Sequence, residues 1–420
     1  MNAMAARAVL PEILPALAPD LALPELTGTA ALATAAMRGM ALPNLLAEVQ
    51  QRDTDPAARL LDLAILCQLF FRREEGLRLQ AAALDAAPLY RIRSEGFRKA
   101  PLRLLALMAP GDLMANTPLD FITAHLDVEL TLLFLRPGQP LPAVLPDHDL
   151  LFFAIGTGTA ETTERLSRLF RAWPRPVLND PAFLPGLERT ELARRLQGLP
   201  GICSPEAVLA DRALLRRIAT GEAATDALWP GAAWPLLVRP EGSHAGAGLA
   251  RIEGPAALGA HLETLDADLC TVTRFVDYAG ADGLHRKFRI AFIEGRPFLC
   301  HMAASEHWMV HYLNAGMAES AAKRAEEAAA MDGFAEGFAR RHAEAFRRLA
   351  AVLGFDYVSI DCAELPDGRL LVFEADTAAI VHLMEDPATF PYKQQHMRRV
   401  FEAFEAMLLR RAGRISKTNP

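Results

Sequence analysis

Three carboxylates in the stretch VSIDCAELPDGRLLVFEAD (358–376) have the spacing of a cation-binding group. Glu374 and Asp376 are two apart on an expected strand, which points both side chains to one face. With residues 365–368 as a four-residue hairpin loop, Glu364 pairs with Arg369 and Asp361 falls opposite Val372. Asp361 then lies one diagonal step from Glu374 on the same face. Like charges this close repel, and a hard divalent cation relieves the repulsion. Mg²⁺ characteristically takes one or two carboxylates together with phosphate oxygens and water. The competing reading is a solvated strand end.

Two further stretches carry chemistry. VRPEGSHAGAGLARIEG (238–254) runs from a strand into a loop where Gly242, Gly246 and Gly248 let backbone N–H groups approach phosphate oxygens closely. The loop lacks the Lys-Ser/Thr ending of a Walker loop, and a strand follows it, so the P-loop and Rossmann readings both fail. A flexible hairpin loop is the alternative. In HRKFRIAFIEGRPFLC (285–300), Lys287, Arg289 and Ala291 share one strand face, and Arg286 points to the other. Cations facing the carboxylates would straddle a polyphosphate and its metal; a solvated basic edge strand is the alternative. His307 and His311 are four apart but lack the glutamate of an HExxH pair, which favours core or substrate contact over metal ligation. With no GxSxG and no Cys/His signature, a protein nucleophile is not expected.

The elements that must position these residues fall into three regimes. Residues 1–100 are rich in Ala and Leu, and 55–91 read as two helices joined near Glu75-Gly76. From 101 to 203, short apolar runs separated by a helix indicate a small parallel α/β domain. From 204 to 420, hairpin-ordered strands with turns at Glu294-Gly295 and Asp367-Gly368 indicate an antiparallel α+β region closed by helices. The fold class is therefore α/β plus α+β.

Composition bounds the rest. The 420 residues are 51% hydrophobic and 23% charged, which excludes a disordered chain. With 44 Lys+Arg against 51 Asp+Glu, the net charge of −7 disfavours a nucleic-acid partner. The five scattered cysteines include no CxxC pair, so neither a disulfide framework nor a zinc site is expected and a cytoplasmic location fits. Pro11 and Pro15 interrupt any leader-like apolar run, and no run of ~18 apolar residues is present, so neither a secretory leader nor a membrane partner is expected.

The order strand–Pro–glycine loop–strand, then a basic strand, then Asp361, Glu374 thirteen positions later and Asp376, resembles the ATP-grasp superfamily over roughly 101–410. The nearest branch is similar to the RimK-type and glutathione-synthetase-like carboxylate–amine ligases. The resemblance implies a pre-ATP-grasp domain at 101–203 and an ATP-grasp domain at 204–420, built as two α+β subdomains around the nucleotide. It also implies a tetratricopeptide-like helical extension at 1–100. ATP and Mg²⁺, or Mn²⁺, are the implied cofactors. Arg239, Gly242, Ser243, Gly246, Gly248 and Lys287 would hold the phosphates, the backbone of Phe275 and Val276 the adenine, and Asp277 the ribose. Asp361, Glu374 and Asp376 would hold the metal, with Arg289 and Asn314 as catalytic residues.

Several positions depart from the family pattern. Arg239 replaces its lysine, Lys287 its strand aspartate and Asp376 its closing asparagine. The second lysine expected at 189–195 is absent, leaving Arg189, Arg194 and Arg195 as local cations and Glu191 in its place. His307, Trp308, His311 and Tyr312 are unusual for the family. The implied activity is ADP-forming ligation of a small-molecule or peptide carboxylate to an amine through an acyl phosphate. The same apparatus could instead serve a small-molecule kinase or a nucleotide-binding adaptor. A homodimer, and a peptide or protein partner at the N-terminal helices, are compatible with the resemblance.

Overall fold

Apolar runs too short for a buried helix become strands. The computed structural model describes residues 14–93, 101–156, 160–243, 246–311 and 314–415; Tyr312 lies outside them. Leu102–Met108, Val128–Phe134, Leu150–Phe153 and Val177–Leu178 pair in parallel. Leu89–Ile92 joins them antiparallel and Glu25–Leu26 completes a six-stranded sheet.

Two helices cover this sheet. Pro56–Leu69 begins where Asp55 accepts a hydrogen bond from the Ala57 N–H at 2.7 Å, with Pro56 presetting the first turn. Its partner, Arg73–Ala86, starts after a turn at 70–72 in which Phe71 takes a φ of 62°. The turn expected at Glu75-Gly76 is therefore misplaced, because Gly76 lies inside the second helix. A Cβ there would sit 2.5 Å from Gln68 Cγ and 2.8 Å from the Ala64 carbonyl oxygen. This glycine marks a close helix approach. Ala57, Ala58, Leu61 and Leu84 form one core with Tyr90 and Phe134 of the sheet.

Contacts divide the chain into two compact units. One comprises Met1–Ala182, Thr377–Pro387 and Met397–Pro420; the other comprises Phe183–Asp376 and Ala388–His396. These boundaries depart from those read near 100 and 203. Ile202–Cys203 pairs in parallel with Leu370 and Leu371, which draws 183–203 into the second unit. From Met397 onward, the Lys393–Arg411 helix belongs to the first unit, where Phe401 stacks on His125 and Phe404 packs against Phe152.

The second unit holds two sheets. Ala207–Asp211, Leu269–Arg274, Leu236–Pro240 and Ala250–Ile252 form an antiparallel sheet whose core includes Leu215, Leu236, Val238, Leu258 and Val272. Arg296–Ser305, His285–Ile293, Tyr357–Glu364 and Leu370–Asp376 form the other, with Ile202–Cys203 at its edge. Glu294 and Gly295 both adopt positive φ in the tight turn read from the sequence. Helix Ala343–Leu353 buries Phe346, Leu349 and Leu353, and Gly354 ends it at φ 73°. The chain is thus α/β in its first unit and α+β in its second. Among the described residues no helix is long and apolar enough to cross a membrane. The five cysteines are unpaired.

Candidate active site

Both sheets of the second unit, together with the Arg189–Leu196 helix, wall a single cavity. The helix contributes Arg189, the four-stranded sheet Arg239, and the five-stranded sheet Lys287, Asp361 and Glu374. The carboxylate hairpin closes in another register than expected. Glu364 pairs with Leu370, Cys362 with Val372, and a bulge then sets Asp361 directly opposite Glu374. Phe373 is the extra residue; without the bulge, Asp361 would face Phe373 and Glu374 would point to the other side. Asp376 falls opposite Ser359, so all three carboxylates share one face, as expected by a different route.

The charges of Asp361 and Glu374 are met by protein cations. Asp361, 4% exposed, receives Lys287 Nζ on Oδ2 at 2.9 Å. Arg289 binds it through Nε to Oδ1 at 2.8 Å and Nη2 to Oδ2 at 3.0 Å. Burial opposes ionisation of this carboxyl, but Arg289 and Lys287 outweigh it and hold Asp361 well below the usual carboxylate range. Arg189 Nη2 donates to Glu374 Oε2 at 3.0 Å. Arg239 donates through Nε to Ser243 Oγ at 2.9 Å and through Nη2 to the Ser243 carbonyl. Burial, and then the neighbouring charge of Arg189, bring the Arg239 guanidinium down to about 10.

The wall is basic although the chain is acidic. Four cations line it (Arg189, Arg239, Arg274 and Lys287) against two carboxylates (Asp361 and Glu374). An anionic ligand therefore suits the cavity. The expected metal set does not fit. Both oxygens of Asp361 are taken by Lys287 and Arg289, and one oxygen of Glu374 by Arg189. Among the described residues, no group of three or more His, Cys, Asp or Glu is arranged to hold a metal ion.

The other expected residues divide between wall and surroundings. Phe275 and Val276 line the cavity together with Trp308 and Met309. The Phe275 ring meets Trp308 edge-on at 5.8 Å, and the Arg251 guanidinium lies over it at 4.1 Å. Gly246 is in the wall at φ 74°, where a Cβ would come within 2.8 Å of His311 Nε2. Gly246 thus lies close against this imidazole, and burial, then Lys287, lower the pKa of the ring.

Gly242, Ser243 and Gly248 stand outside the wall. So does Arg289, which sits behind Asp361 as its counter-ion. Asp277 is exposed, accepts from the Ala279 N–H and lies 3.3 Å from His285 Nε2. Asn314 is exposed and accepts from the His311 N–H at 3.0 Å, which makes it a turn former rather than a cavity residue. His307 donates its N–H to Ser305 Oγ. Arg189 was absent from the expected set; its signal was a lone run of arginines where a lysine was sought.

No protein-family profile matches the sequence, and no curated protein matches it. Among solved structures, the chain is similar to a D-alanine–D-alanine ligase from Bacillus anthracis crystallised with ATP. The identity is 13%, coverage is 75% of this chain and 99% of that one, and the TM-score is 0.44. It is also similar to a RimK-domain ATP-grasp protein from Sphaerobacter thermophilus DSM 20745, at 17% identity over 73% of this chain and 99% of that one, with TM-score 0.40. A third is the VanG D-Ala:D-Ser ligase of Enterococcus faecalis, at 13% identity, with the same coverages and TM-score 0.43.

Proposed function

We propose that the second unit binds ATP and joins a carboxylate to an amine as an ATP-grasp-type ligase, releasing ADP and phosphate. One observation carries this reading. A single cavity is lined both by apolar side chains, Phe275, Val276 and Trp308, and by the cations Arg189, Arg239 and Lys287. A nucleotide has the matching pair of characters, a flat base at one end and a polyanion at the other.

The guanidinium groups of Arg189 and Arg239 match phosphate oxygens bidentately, and Lys287 adds a compact charge. Gly246, having no Cβ, lets the loop backbone approach the phosphates. In the first step an oxygen of the substrate carboxylate attacks the γ-phosphorus, and the bond to the ADP oxygen breaks, giving an acyl phosphate. The amine nitrogen then attacks the acyl carbon. A C–N bond forms, phosphate leaves with the bonding electrons, and the amine proton passes to solvent. Fixed cations stabilise the charge that develops on the transferring group.

The test is ADP release measured across a panel of carboxylates and amines. Release that requires both substrates supports ligation. Release with a hydroxyl acceptor and no amine points to a kinase, and ATP binding without turnover points to an adaptor.

A further inference from the structure

Resting on that reading, we infer that this site binds its polyphosphate without a divalent metal, Lys287 standing where a bound cation would act. Asp361 is then a counter-ion that holds Lys287 and Arg289 in place, not a metal ligand.

Geometry carries the argument. Asp361 lies in the wall, but its side chain is 4% exposed and both its oxygens accept from fixed donors at 2.8–3.0 Å. A metal entering there must break a buried, charge-assisted set that Arg289 grips through two nitrogens. Lys287 belongs to the same wall, and an ammonium carries three donors of which Asp361 takes one. The remaining N–H groups can meet phosphate oxygens. Glu374, the carboxylate directly across the strand pair, is held by Arg189. The two carboxylates of the wall are thus committed to protein cations, and the wall still has more cations than anions. A free polyphosphate anion is neutralised by such a surface; one already complexed to Mg²⁺ brings less charge to it and meets an Asp361 with both oxygens taken and a Glu374 with one oxygen held by Arg189.

The experiment is calorimetric titration of the full chain with ATP, once with excess EDTA and once with excess Mg²⁺. Beside it, Mn²⁺ is titrated into the protein with and without ATP, and bound Mn²⁺ is read by electron paramagnetic resonance. The expected result is an ATP affinity in EDTA within about threefold of that with Mg²⁺. No protein-bound Mn²⁺ signal should appear, and Lys287→Gln should lower the affinity in EDTA at least tenfold. ATP binding that requires Mg²⁺, or a Mn²⁺ signal that disappears in Asp361→Asn, overturns the inference and leaves the nucleotide reading intact. An unchanged affinity in Lys287→Gln, with its folding confirmed by circular dichroism, also overturns it. No ATP binding in either buffer overturns both.

Discussion

Arg289 and Asp361 are register partners on adjacent antiparallel strands, and the guanidinium holds both oxygens of the carboxylate it faces. Three residues earlier, Arg286 turns to the other face and pairs with Asp282 at 2.6 Å and with Glu326. Arg286 is thus a paired charge, and the opposition of faces is as the strand period requires.

These pairs should differ sharply in worth. Arg289→Ala leaves a buried carboxylate with Lys287 alone, and breaking such a pair costs ~3 kcal/mol or more. Arg286→Ala removes partly exposed pairs, worth ~0.5–1 kcal/mol. Urea unfolding monitored by circular dichroism separates them. Equal small losses would show that Asp361 does not depend on Arg289.

Arg239→Met should weaken ATP binding at least tenfold in calorimetry, since a hydrogen bond to a charged group contributes ~1.5–3 kcal/mol. Arg194→Ala is the contrast. That side chain is 70% exposed and paired with Glu191, so its loss should leave affinity unchanged. Comparable losses in both would mean that the basic wall is not the phosphate site.

Gly76→Ala should destabilise the first unit by ~1–2 kcal/mol. Helix propensity favours alanine by ~1 kcal/mol, but a Cβ 2.8 Å from a backbone oxygen forces the helices apart. Gly259→Ala, in the Pro255–Leu262 helix, meets only Ala219 Cβ at 3.7 Å and should stabilise instead. Thermal unfolding reads both; a stabilising Gly76→Ala contradicts the close-packed crossing.

The stability of the first unit should fall in mild acid through His148. Its Nε2 accepts from Trp173 Nε1 at 2.9 Å, so Nδ1 carries the proton toward the Pro146 carbonyl, also at 2.9 Å. Burial lowers the pKa of this ring below the ordinary value near 6.5. The unfolded chain therefore binds the extra proton first, and stability declines as pH falls below about 6.5 toward the folded pKa. His148→Phe should be less stable than the parent at pH 7.5, and the gap should narrow at pH 5.5. A gap that widens on acidification would reverse the assignment.

Periodicity made the strands and helices legible. Phe346, Leu349 and Leu353 form the buried face of the Ala343–Leu353 helix at helical spacing, whereas Phe338 lies in a separate π-helical turn, 335–339, and His342 only caps the helix. The side of the strand bearing Glu374 and Asp376 was legible for the same reason. The hidden parts depend on distant contacts. The bulge at Phe373 is fixed by pairing with a neighbouring strand, and local sequence does not show which residue is extruded. Arg189 meets Glu374 across 185 positions, and Lys287 meets Asp361 across 74. Spacing revealed the carboxylates but not the side chains that neutralise them. Gly76 misled because a glycine serving a close helix crossing has the same sequence signature as one serving a turn.

The interrupted first unit has a consequence for the order of folding during synthesis. Its sheet is laid down early, ending with Val177–Leu178, but Phe401 and Phe404, which pack against His125 and Phe152, are more than 200 positions further on. At ~5–20 residues per second the ribosome needs on the order of 10–40 s to supply them. Every strand of the second unit emerges within that interval. The nascent sheet must wait with that part of its apolar surface uncovered, and the unit that starts first is the last to be completed.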